Sequence, residues 1–136
     1  MKLVVDANIL FASLIKSGDT AKLLFSEHHE FYTPEFLFEE FNKYKEVILQ
    51  KTKRSSEDFT QFLAILKSRI KIVPYERIYP FLKEAQDFSP DPKDTVYLAL
   101  ALLLNCQIWS NDKELSEKQN RIRVITTTEL IDIEQE

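Results

Sequence analysis

Short runs of β-branched and other apolar residues alternate along the chain with longer stretches whose apolar positions recur every three or four residues. The first run, Lys2 to Asp6, reads Lys-Leu-Val-Val-Asp and predicts a buried strand ending in a carboxylate. From Asn8 onward the positions of Ile9, Leu10, Ala12, Leu14 and Ile15 predict a helix capped by Asn8. After Gly18 and Asp19, a second helix is expected from Ala21 to Glu27, then a strand from Phe31 to Thr33 stopped by Pro34. Leu37, Phe41, Tyr44 and Ile48 form one apolar stripe, which predicts a third helix running to about Leu49 with a basic end from Lys51 to Arg54.

Ser55 or Ser56 caps the next helix, whose core face carries Phe59, Phe62, Leu63 and Leu66. A strand from Ile70 to Val73 precedes Pro74, and another helix is expected near Arg77 to Asp87. Residues 89–94 read Ser-Pro-Asp-Pro-Lys-Asp, and each proline disfavours helix in its predecessor, so this segment is expected to be a loop delivering Asp94 to a helix start. Thr95 to Asn105 is nearly all Leu and Ala with Val96 and Tyr97, a helix buried on most sides. A strand from Gln107 to Ser110, a turn at Asn111-Asp112-Lys113, a short helix near Leu115, a strand near Arg123 to Thr126 and a helix from about Thr128 complete the pattern. Strands spaced too far apart for hairpins pair in parallel. The expected fold class is therefore α/β, a three-layer α/β/α sandwich around a mainly parallel sheet of about four to five strands.

Composition narrows the function. A chain of 136 residues without an abrupt change in composition reads as one domain over 1–136. Hydrophobic residues at 44% and charged residues at 29% fit a protein that buries a core. A single Gly rules out glycine-rich phosphate loops and leaves turns of positive φ to Asn, Asp or Ser. One cysteine, Cys106, can form neither an intrachain disulfide nor a zinc cluster. With no membrane-length apolar run and no signal-like start, a reduced, cytoplasmic location is expected. The net charge of −4 argues against broad wrapping of duplex DNA. His28 and His29, adjacent and without a third His, are read as surface residues.

Asp6 and Asp112 each lie within two residues of a predicted strand end, and Asp94 opens a helix, where a capping role would also explain it. In open parallel sheets, ligands bind beyond the carboxyl ends of the strands. Carboxylates brought within about 4 Å of one another repel by on the order of 4 kcal/mol per pair at an effective dielectric near 20, which a bound cation compensates. Oxygen ligands without His or Cys suit Mg²⁺ or Mn²⁺ rather than zinc, and magnesium commonly shares substrate phosphates. Phosphodiester chemistry is the expected reaction.

Val4-Val5-Asp6-Ala7-Asn8-Ile9-Leu10 resembles the opening motif of the PIN domain family. The stretch from Asp91 to Ala101, in which Asp94 precedes alanines at 99 and 101, resembles the family's third motif, a register that selects Asp94 over Asp91. Ile108 to Leu115 resembles the fourth, with Ser110 in place of the commoner threonine two positions before Asp112. The second motif, an acid in the helix after the second strand, falls on Glu39 or Glu40. Glu40 flanks the apolar stripe while Glu39 faces Glu35, Asn42 and Lys43, so helix geometry favours Glu40. The resemblance spans residues 4 to 115 and implies metal-dependent hydrolysis of RNA. Asp6, Glu40, Asp94 and Asp112 would be catalytic, the three aspartates would hold Mg²⁺ or Mn²⁺, and Asn8, Ser110 and Asp91 would play supporting parts.

Small domains of this kind resemble VapC-like toxins, which implies an antitoxin partner and a homodimer. Lys51, Lys53 and Arg54 form the densest basic cluster and are candidates for RNA phosphates, although solvated helix ends explain them better. Phe36, Phe38, Phe41 and Tyr44 at helical spacing fit packing better than base stacking. The main rival is a PIN-like module that binds without cutting. A haloacid-dehalogenase-type phosphatase would need an acid where Asn8 stands, and a receiver domain would need an acidic pair near the first strand.

Overall fold

A computed structural model describes residues 1–15 and 18–135, the side chain of Ile15 excepted. Among these residues five strands form one sheet: β1 (Lys2–Val5), β2 (Glu30–Pro34), β3 (Ile70–Val73), β4 (Gln107–Trp109) and β5 (Val124–Ile125). Their order is β3-β2-β1-β4-β5, and every neighbouring pair is parallel. The expected parallel α/β sandwich is what the chain adopts.

Between the strands run α1 (Ala7–Ile15), α2 (Asp19–Leu24), α3 (Phe36–Lys43), α4 (Lys45–Thr52), α5 (Ser56–Arg69), α6 (Tyr75–Ile78), α7 (Leu82–Phe88), α8 (Thr95–Leu104) and α9 (Lys113–Glu117), and α10 (Thr127–Gln135) follows β5. The pleat divides the core in two. Leu3, Val5, Phe31 and Trp109 face a layer that includes Leu10, Phe41, Phe59, Leu66 and Leu130 from α1, α3, α5 and α10. Val4 and Ile108 face the other way, onto Ile78, Ala85, Leu98, Ala101 and Leu115 from α6, α7, α8 and α9. Strands covered on both faces must be apolar at every position, which is why Leu3, Val4 and Val5 run without a polar break.

Several boundaries depart from the sequence pattern for local reasons. Helix α1 starts at Ala7, and its cap is Asp6 rather than Asn8: the Asp6 carboxylate accepts the Ile9 backbone N–H at 3.0 Å. Helix α2 starts two residues early and stops at Leu24, where the Ser26 N–H bonds the Leu23 carbonyl and tightens the last turn. The expected third helix bends at Tyr44 (φ −101°, ψ 15°) into α3 and α4, and Tyr44 turns outward instead of joining the stripe. The helix near Arg77 to Asp87 is interrupted by a 3₁₀ turn at Tyr79–Phe81, because Pro80 cannot donate to a helical ladder.

The 89–94 loop is not wholly irregular: Pro92–Asp94 makes a 3₁₀ turn, with Pro92 at a first position where its missing N–H costs nothing. Ser55 is the cap of α5, accepting the Asp58 N–H at 3.0 Å. Asn105 ends α8 with φ 52°, the role that scarce glycine leaves to asparagine. Thr126 and Glu129 close a reciprocal capping box at the start of α10. His29, read from sequence as a surface residue, is buried beside Phe31 with Nε2 3.1 Å from Glu134. Among the described residues no helix is long and apolar enough to cross a membrane.

Candidate functional site

The strand order reverses at β1: β2 and β3 lie on one side of it, β4 and β5 on the other. Chains leaving the carboxyl ends of β1 and β4 diverge to opposite faces and open a crevice between them, the usual ligand position in such sheets. Asp6 emerges from β1 and Ser110 from β4, joined by the Asp6 N–H bonding the Trp109 carbonyl at 3.3 Å. The Ser110 hydroxyl, fully buried, donates to Asp6 and accepts the Asp112 N–H at 3.1 Å. Asp112 in turn caps α9, accepting the Glu114 N–H at 3.0 Å. This is the physical content of a hydroxyl two positions before an acid: one oxygen ties both carboxylate-bearing segments together.

The other walls are helical. Helix α8 brings Asp94 and Tyr97, one turn apart, and α3 brings Phe36 and Glu40. Together with Asp6, Ala7, Asn8, Phe11, Lys93 and Asp112 they line one cleft of about 450 Å³. All four acids singled out from sequence therefore share a cavity. Glu39 is exposed and lies outside it, so the structure places Glu40, not Glu39, on the cleft wall.

The electrostatics differ from acid to acid. Burial pushes the Asp6 carboxyl up, the Ser110 hydroxyl and the Ile9 and Asn8 amides pull it back, and Asp112 adds to the rise. Asp94 has no such help. It opens α8 without making a side-chain cap bond, and burial, Asp112, Asp91 and Asp6 raise it to about 6 against the counterweight of Lys93. A cap role does not explain a carboxylate that caps nothing. The Tyr97 hydroxyl, enclosed by protein, finds no acceptor for its proton, a state that costs about 1–3 kcal/mol unless a partner arrives. Burial and the charges of Asp6, Glu40 and Asp94 raise its pKa, so the phenol stays a donor.

Among the described residues no three acidic, His or Cys side chains stand close enough to hold an ion between them as the side chains lie. The donor set nonetheless fits a hard cation that keeps part of its water shell: oxygen donors only, one of them lacking any proton donor. Asn8 is exposed on the cleft lining, and Asp91 caps the 3₁₀ turn by accepting the Lys93 N–H at 3.0 Å. Lys51, Lys53 and Arg54 do not line the cleft. Arg54 bonds the Leu14 carbonyl at 3.2 Å and lies over the Phe62 ring, at the end of α1 away from Asp6, about 10 Å along the helix. Phe11, Phe36, Lys93 and Tyr97 were not singled out as site residues. Helical spacing marks Phe36 as a packing residue and Tyr97 falls in a helix expected to be buried on most sides, so only the assembled fold reveals what they line.

By family model the chain matches the PIN domain over residues 4–134, and it belongs to that family. No curated protein matches it by sequence. Its fold is similar to that of a chain in the crystal structure of VapBC2 from Rickettsia felis bound to a DNA fragment from their promoter. That likeness has a TM-score of 0.71 at 15% identity, covering 93% of this chain and 98% of the other. It is also similar to a chain of a toxin–antitoxin complex from Klebsiella pneumoniae, with a TM-score of 0.68 at 15% identity, covering 92% and 97%.

Proposed function

We propose that this protein is a Mg²⁺- or Mn²⁺-dependent endoribonuclease, the toxin of a toxin–antitoxin pair. The observation that carries the reading is Asp94: a buried carboxylate without a hydrogen-bond donor, facing Asp6 and Asp112 in a cleft at the sheet's switch point. Such an arrangement is strained as a free anion cluster and relieved by a cation. Asp6, Asp94 and Asp112 would hold the ion, which supplies charge neutralisation and an activated water for phosphodiester hydrolysis.

The protein's own groups do the rest. Ser110 keeps Asp6 and Asp112 in register, and Asn8 sits where its amide can orient substrate or carboxylate. Glu40 faces the same cavity and is assigned to bind the ion through a water, which it orients for attack. Lys93, exposed on the cleft lining, provides the nearest phosphate contact, and the exposed Lys51 and Lys53 are assigned peripheral ones. The structural likeness to chains from two toxin–antitoxin complexes supports an antitoxin as partner. A homodimer acting in the cytoplasm completes the reading.

The test is cleavage of structured and single-stranded RNA with Mg²⁺ or Mn²⁺, comparing wild type with Asp6→Asn. Cleavage that needs the metal and disappears in the variant supports the proposal. Equal activity in both, or none in either, overturns it.

A further inference from the structure

Tyr97 holds a polar group that the chemistry above does not use. The residue is only 7% exposed and its hydroxyl is enclosed without a partner, on the wall of a cleft lined by carboxylates. A phenylalanine would fill the same space without that unmet donor, so the oxygen needs an acceptor. The Ala7 amide beside it is itself a donor and cannot serve.

Three carboxylates act on the phenol through their charge: Asp6, Glu40 and Asp94. Asp6 already accepts from Ser110 and from the Ile9 N–H. Asp94 is short and opens the helix that carries Tyr97 itself, one turn away, so its reach is limited. Glu40 differs on both counts. It is a long, half-buried side chain on α3, and none of the hydrogen bonds among the described residues reaches it. The Tyr97 ring meets Phe36 edge-on with centroids 5.9 Å apart, and Phe36 precedes Glu40 by four residues on the same face of α3. The tyrosine is thus packed against the helix surface that carries Glu40, a long acid that no hydrogen bond among the described residues holds.

We propose that Tyr97 is a positioning residue for Glu40: its hydroxyl donates to the Glu40 carboxylate and holds it inside the cleft opposite Asp6 and Asp94. The activity arm of this inference rests on the nuclease reading, whereas the tether itself does not.

The experiment is a double-mutant cycle on the full chain with Tyr97→Phe, Glu40→Ala and the pair combined, because a glutamine at 40 would still accept from the phenol. Calorimetric titration with Mn²⁺ alone, RNA cleavage against Mg²⁺ concentration, and thermal melting without metal are measured for each. Tyr97→Phe is expected to weaken Mn²⁺ binding by about tenfold and to raise the Mg²⁺ needed for cleavage, with no further loss in the combined variant. Unchanged Mn²⁺ affinity in Tyr97→Phe, or losses that multiply in the pair, overturns the tether. If wild type neither binds Mn²⁺ nor cuts RNA, the nuclease reading fails by itself. The metal-free melting cycle then decides the tether: non-additive shifts support it and additive shifts overturn it.

Discussion

Ser110, 104 residues from Asp6 in sequence, donates a hydrogen bond from its hydroxyl to the Asp6 carboxylate at the junction of β4 and β1, and the same serine oxygen receives the Asp112 amide. The hydroxyl offsets part of the burial that raises the Asp6 carboxyl. Ser110→Ala is expected to slow Mg²⁺-dependent cleavage by about tenfold, the usual effect of removing a partner that orients a ligand. It should also cost about 1–3 kcal/mol of stability, because a buried acceptor loses its donor. Ser110→Thr, which keeps the hydroxyl, should retain most activity. Rate measurements across Mg²⁺ concentration and denaturant melts check both, and full activity in the alanine variant would remove Ser110 from the site.

Asp94 ties pH to stability. Its carboxyl is raised from 3.8 to about 6, so the folded state holds the proton more tightly than the unfolded chain. The stability it contributes is complete below about pH 4 and is lost as pH rises through about 6. In metal-free buffer near neutral pH, Asp94→Asn should therefore melt higher than wild type, on the order of 2–8 °C for each 1 kcal/mol recovered. That advantage should vanish near pH 4 and reverse when Mn²⁺ is added, since only wild type gains by binding. A variant that is less stable at neutral pH without metal would contradict the strain assigned to this carboxylate.

The adjacent glutamates give a sharp contrast. Glu40 lines the cleft and Glu39 faces solvent. Glu40→Gln should lower cleavage by about 10²-fold with little effect on melting, the scale set by losing a group that handles a proton. Glu39→Gln should behave as wild type. Steady-state rates on one RNA substrate suffice, and the reverse ranking would reassign the second acidic position.

Two basic residues separate fold from substrate binding. Arg54 is committed to the Leu14 carbonyl and the Phe62 ring, whereas Lys93 stands at the cleft. Arg54→Ala should reduce stability by about 1–2 kcal/mol and leave RNA affinity unchanged. Lys93→Ala should leave melting unchanged, weaken RNA binding, and flatten the salt dependence by roughly one phosphate contact. Filter binding across salt concentrations and thermal melts distinguish the two.

The alternation of strand and helix was legible because each strand is an apolar run bounded by an acid, a proline or a polar turn, as at Val5-Asp6 and Val73-Pro74. The order of the strands was not, since periodicity reports which residues are buried and not which run lies beside which. The bend at Tyr44 leaves no mark in the sequence, because its spacing fits the stripe that Phe41 and Ile48 obey. Asp6, Asp94 and Asp112 could be read as site candidates because strand ends and helix starts locate them without tertiary knowledge. Tyr97, Phe36 and Lys93 could not: α8 and α3 meet only in the folded chain, and an aromatic at helical spacing looks like core until its hydroxyl is found unpaired. His29 shows the same limit, as its burial against Glu134 depends on where α10 comes to rest.

The sheet places its earliest strand in the middle, between β2 and the late-arriving β4. Synthesis therefore delivers Asp6 early but cannot complete the cleft until Asp112 has followed more than a hundred residues later. Until then β1 has only one edge covered, and the growing chain carries its acids dispersed. On the nuclease reading proposed above, a chain that ends before β4 holds Asp6, Glu40 and Asp94 but lacks Ser110 and Asp112, so the site is the last thing the fold completes.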